Sequence, residues 1–212
     1  MGQRLVIHIM EQDNEVANAY YHWSGYTSSA LNLLEKIFNA YNNQLIESCT
    51  IDGLLNTRLL GIRLLEATGA GIYNDDEKYV REIYPGLEFN QAKNRNDGLI
   101  SISKSSMDES SYCAESDLYI DIANKKVDFC VLMETEDDEL EESAVGDRDY
   151  DDLSKNMIKK LVEEYKDNMP ELKLEGYYFD NIPFDKIGDF CNKMKNIGYD
   201  FKIGDCYYSK IE

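Results

Sequence analysis

Residues 117–133 constrain the fold more than any other stretch of this chain. Leu118, Ile120 and Ile122 alternate with Tyr119 and Asp121. After Asn124-Lys125, Val127, Phe129, Val131 and Met133 alternate with Asp128, Cys130 and Leu132. A period of two gives each strand one apolar row, and turn residues between two such runs fold them into an antiparallel hairpin. A lone hairpin does not stand in water, so these strands require further strands or helices to cover them.

The rest of the chain supplies that cover. Residues 3–10 and 15–23 read as a second hairpin: Leu5, Ile7 and Ile9 alternate with Val6, His8 and Met10, and Asp13-Asn14 sits between the runs. Gly25 interrupts, and Thr27 or Ser28 can cap a helix over 28–43. There Ala30, Leu31, Leu34, Ile37, Phe38 and Tyr41 share one face, opposite Asn32, Glu35, Lys36, Asn39 and Asn42. A second helix is expected over 51–67, with Leu55, Leu59, Ile62 and Leu65 inward, ending at Gly69-Ala70-Gly71. Residues 73–97 read as polar and irregular, 99–102 as a short strand, and a helix is expected from Leu153 through Met157 and Leu161 to Tyr165. Beyond it, 172–179 reads as a strand, Pro183 opens a helix carrying Phe184, Ile187, Cys191 and Met194, Gly198 stops it, and 199–208 returns as a strand. The order argues for an α+β fold: a mixed or mostly antiparallel sheet packed with about four helices, closed by a C-terminal β-α-β element.

Between these parts, Glu134, Glu136, Asp137, Asp138, Glu139, Glu141, Glu142, Asp147, Asp149, Asp151 and Asp152 face only Arg148, which reads as an exposed acidic loop or linker. The expected organisation is a main domain over 1–135, the acidic segment over 136–152, and a β-α-β subdomain over 153–212 packed on the first.

Charge narrows the function classes. The chain has 41 acidic against 22 basic side chains, a net charge of -19. That field repels nucleic acid and anionic membrane and favours salt-sensitive capture of basic partners. The expected partner is therefore a basic protein or ribonucleoprotein, with neither nucleic acid nor membrane bound directly; self-association is compatible with the sequence. Cys49, Cys113, Cys130, Cys191 and Cys206 are odd in number and scattered, which suits reduced thiols. The opening apolar run is too short for a signal core or a membrane span, so a cytoplasmic location is expected.

Candidate chemistry is sparse. A histidine-assisted nucleophile must recruit one of two histidines, and His22 with Ser24 or Ser28 is the pair to test, in a stretch dense in aromatic and hydroxyl groups. Aromatic packing and helix capping explain the same residues. Gly69-Ala70-Gly71 lacks the lysine and the strand context of a phosphate loop. Asp147, Asp149 and Asp151 open like a calcium loop, but Asp152 and Ile158 stand where glycine and glutamate are required, so no metal or cofactor is expected. The binding candidates are Glu136, Asp137, Asp138, Glu139, Glu141, Glu142, Asp147, Asp149, Asp151 and Asp152, together with Tyr178 and Tyr208, which flank the last helix.

Gly2-Gln3-Arg4-Leu5, Tyr20-Tyr21-His22-Trp23-Ser24 and Tyr26-Thr27-Ser28-Ser29-Ala30 resemble the opening of proteins encoded by phages and prophages of low-GC bacteria. In size and acidity the chain is similar in character to phage inhibitors of bacterial immunity such as anti-CRISPR proteins. The resemblance covers about the first thirty residues and brings no active-site motif. It implies a stoichiometric inhibitor that blocks a basic nucleic-acid groove or a conformational step. A small hydrolase or transferase centred on His22, and a viral structural or assembly protein, are the rival expectations.

Overall fold

The computed structural model describes residues 3–94, 97–132, 156–158, 160–161, 176–198 and 200–204, with the backbone alone at 176–178 and 180. Among these residues a seven-stranded sheet runs in the order β5-β6-β2-β1-β7-β8-β9. The hairpin strands are β1 (Leu5–Glu11) with β2 (Asn14–Tyr21), and β7 (Ser116–Asp121) with β8 (Lys126–Leu132). The short strands are β5 (Gly71–Ile72) and β6 (Leu99–Ser101), and β9 (Gly176–Pro183) closes the sheet. The sheet is mixed: β1 runs parallel to β7 and β5 parallel to β6, while the remaining pairs are antiparallel. The fold is α+β.

Alternation along β1 sorts the two faces. Leu5, Ile7 and Ile9 join Ala17, Ala19, Tyr21, Leu118 and Ile120 on one face, buried in the main core. Helices α1 (Thr27–Ala40), α3 (Thr57–Glu66) and α6 (Ile187–Asn196) cover it. Phe190 of α6 meets Phe129 of β8 and Phe179 of β9 edge to face, with ring centroids 5.4 and 5.1 Å apart. The 176–204 segment therefore shares a core with the first 132 residues. The acidic segment lies outside the described residues.

The other face carries Val6, His8, Met10, Asn18, Tyr20, Asp117, Tyr119 and Asp121. Helix α5 (Lys104–Tyr112) sits against its β2–β6 side: Met107 O accepts from Asn18 Nδ2, and the Ser110 and Ser101 hydroxyls bond at 2.9 Å.

Two expectations need correction. The helix over 51–67 is instead α2 (Asn43–Ser48), a small hairpin of β3 (Thr50–Ile51) and β4 (Leu54–Leu55), and then α3. Asp52 and Gly53 both have positive φ, 51° and 81°, the turn that a two-residue hairpin requires and that no helix interior tolerates. Asn56 then caps α3, its side chain accepting from Leu59 N. Second, residues 73–97 are not irregular throughout: a 3-10 turn at Asn74–Asp76 leads into α4 (Glu77–Ile83). Helix α5 has no counterpart among the expected elements, because it carries too few apolar residues to show a helical stripe. It is set by capping: Ser103 accepts from Ser106 N, and buried Asp76 accepts from Ile102 N, Ser103 N and Ser106 Oγ.

The Gly69-Ala70-Gly71 segment is a helix exit. Gly69 has φ 101°, and a Cβ on Gly71 would stand 2.4 Å from the Gln91–Ala92 backbone, so Gly71 is a close-approach position and not part of a phosphate cradle. At the C-terminal end, β9 is described from Gly176, residues 172–175 lying outside the described residues, and Pro183 ends it ahead of a 3-10 turn that runs into α6.

Candidate functional site

A buried cluster of ionisable side chains lies inside the second sheet face. His8 is 4% exposed, yet it sits between two carboxylates. Nδ1–H donates to Glu15 Oε1 at 2.6 Å and Nε2–H to Asp117 Oδ1 at 2.8 Å. Tyr119 stacks on the ring at 4.4 Å, nearly parallel. Strand register produces this arrangement. His8 lies opposite Asn18 on β2 and beside Tyr119 on β7, with Asp117 and Glu15 at neighbouring positions of those strands.

Burial by itself pulls the His8 pKa down. The hydrogen bonds to Asp117 and Glu15, with their negative charge, outweigh that and push it up to about 9. The ring is an imidazolium at neutral pH, with both nitrogens occupied as donors. It has no free lone pair and so cannot serve as a general base there. Asn18 Nδ2 donates to Glu15 Oε1 at 2.8 Å and to Met107 O, while Asn18 Oδ1, fully buried, has no hydrogen-bond partner among the described residues. Turning the amide over would set its oxygen against the Glu15 carboxylate, so the neighbours impose the orientation seen. The cluster ties β2, β1 and β7 together through charge.

The candidates read from the sequence do not assemble into a nucleophile–base pair. His22 Nδ1 bonds Tyr20 OH at 2.8 Å, and its ring meets Trp23 edge-on at 4.7 Å. Ser28 belongs to a different arrangement: its Oγ and its N–H both donate to Asp200, each at 2.8 Å, and Thr27 Oγ1 donates to the same carboxylate. Asp200 thus caps α1 from 172 residues away. His22 makes no hydrogen bond to Ser24 or Ser28 among the described residues. The ten acidic candidates and Tyr208 lie outside the described residues, and Tyr178 is placed by its backbone alone, paired with Cys130.

Two surface features stand out besides these. Trp23, the single tryptophan of the chain, is 58% exposed. Ile51, Leu54 and Leu55 of the β3–β4 hairpin are all exposed, Leu54 by 76%. A shallow open depression along α4 is lined by charges that pair with one another, Arg81 with Glu77 and Lys78 with Glu82.

No signal in the sequence pointed to the His8 cluster, because its carboxylates lie 7 and 109 residues away. No helix among the described residues is long and apolar enough to cross a membrane. Comparison of the chain with protein-family models, with curated proteins and with solved structures finds no match.

Proposed function

We propose that this chain is an acidic binding protein that captures a basic macromolecule. The observation that carries this reading is the net charge of -19 on 212 residues. Such a field accelerates encounter with a positive surface and weakens with salt. Exposed apolar side chains on Trp23 and the β3–β4 hairpin supply contact area that charge alone does not. The ionised His8 cluster serves the scaffold: it welds three strands and leaves the outer surface to recognition.

In its finer form the partner is a nucleic-acid-binding complex of bacterial defence, and the chain is a phage-encoded inhibitor. The segment over 134–152 would then present carboxylates where the partner's groove expects phosphates, taking over the electrostatics that normally drive nucleic-acid binding. The resemblance of the opening residues and the density of acids in that segment support this reading.

The test is capture. The immobilised chain is incubated with lysate of a low-GC bacterium carrying CRISPR systems, washed at low and then rising salt, and the eluted proteins are identified. The expected result is a basic nucleic-acid-binding complex that leaves as salt rises and is displaced by added DNA. Captured proteins no more basic than the lysate as a whole would overturn the reading. For the finer form, a variant with the 134–152 acids changed to their amides should lose capture, and full retention would remove charge mimicry.

A further inference from the structure

Residues 42–56 form an outrigger held to the body at its base. Helix α2 buries none of its residues, and the β3–β4 hairpin that follows has strands of two residues each, exposed throughout. So small a hairpin has no stability of its own. Here it is pinned at its base. Asn56 N donates to Cys49 O at 2.9 Å, and Cys49 is fully buried. Tyr84 OH donates to Asn56 Oδ1 at 2.8 Å, and Thr50 Oγ1 to Ile46 O at 3.0 Å. Asn42 caps α2, its side chain accepting from Leu45 N. The Asp52-Gly53 turn takes the two positive φ values that suit a tight hairpin.

On this fixed support the chain holds three aliphatic side chains in water: Ile51 and Leu54 as a cross-strand pair on one face, and Leu55 on the other. The same stretch carries Glu47 and Asp52, both exposed, and no Lys or Arg. A presenter held in place by hydrogen bonds at its base loses less conformational entropy on binding than a free loop.

We infer that the β3–β4 hairpin is a docking tip for an amphipathic basic segment of a partner protein, its apolar side seated on Ile51 and Leu54 and its Lys or Arg rim facing Glu47 and Asp52. Charge complementarity selects this occupant. A second copy of the chain would bring another net -19 and the same two local carboxylates, so electrostatics disfavour it at this tip. The inference rests on the acidic-binding reading and gives it a place on the surface.

The test titrates the full chain with two labelled synthetic peptides of equal positive charge, one of Leu and Lys patterned as an amphipathic helix and one of Ser and Lys. Binding is read by fluorescence anisotropy at physiological salt. The expected result is that the Leu/Lys peptide binds about tenfold or more tighter than the Ser/Lys peptide, and that Ile51→Ser with Leu54→Ser removes the difference. A second variant, Glu47→Gln with Asp52→Asn, keeps the aliphatic pair and should weaken Leu/Lys binding and flatten its salt dependence. Equal binding of both peptides, or unchanged Leu/Lys binding in both variants, would overturn the docking tip and leave the acidic-binding reading standing. Failure of both peptides to bind would overturn that reading as well.

Discussion

The His8 cluster makes a quantitative prediction about pH. His8 holds its proton up to about pH 9 in the folded chain, whereas an unfolded histidine releases it near 6.5. A pKa raised by folding means that the cluster contributes its full stability below about pH 6.5 and loses it as pH climbs toward 9. The difference between those two values, at about 1.4 kcal/mol per pH unit, amounts to about 3 kcal/mol. Urea denaturation followed by far-UV circular dichroism at about pH 6, 7.5 and 9 should therefore show a falling midpoint. With a urea m-value of roughly 2–3 kcal/mol/M the total drop is about 1 M. His8→Gln keeps a donor but cannot titrate, so its stability should be lower at the acidic end and nearly flat across the same range. Near pH 9 the wild type and His8→Gln share a further, smaller loss, because burial pushes the thiols of Cys191 and Cys49 and the hydroxyl of Tyr21 up, and an unfolded thiol already ionises at about 8.5. A wild-type midpoint that stays level from pH 6.5 to 9, or a His8→Gln variant that falls as steeply as the wild type, would refute the charged-cluster argument.

Other perturbations test the framework. Asp200→Ala removes the shared acceptor for Thr27 Oγ1, Ser28 N and Ser28 Oγ, and should cost about 1–2 kcal/mol by urea denaturation, with Asp200→Asn costing less. Phe190→Ala empties the junction of α6 with Phe129 and Phe179 and should cost about 3–5 kcal/mol, the largest effect of a single truncation proposed for this chain. Gly61→Ala sets a new methyl 2.9 Å from Ile9 Cγ2 and should cost about 1–3 kcal/mol, because β1 and α3 must move apart. Trp23, as the single and half-exposed indole, should show emission readily quenched by acrylamide; a shielded spectrum would place it inside an interface or the core.

Local pattern carried a good part of this fold. Alternation over Leu5–Met10 and Leu118–Leu132, with turn residues between runs, produced both hairpins, because period-two burial and a tight turn are determined within a dozen residues. The same holds for α1, whose Leu31, Leu34 and Ile37 follow the helical period and are buried. Local pattern misled where two signals overlapped: Leu55, Leu59 and Ile62 continue a helical stripe, but Asp52-Gly53 and the Asn56 cap break it first. It stayed silent for α5, whose capping acceptor Asp76 lies about thirty residues upstream.

What only the tertiary structure decided is contact at long range. The sequence can place His8 opposite the Leu5–Ile7–Ile9 row, but not whether that face is covered. The parallel pairing of β1 with β7 brings Asp117 to one ring nitrogen, and the turn of the first hairpin brings Glu15 to the other. A histidine that reads as an ordinary strand residue thereby becomes a buried cation. Charge, alternation and turns are properties of neighbours along the chain and survive in the sequence. Strand order, the cap from Asp200 172 residues away and the Asp117 contact 109 residues from His8 join residues far apart in the chain, which no local pattern encodes.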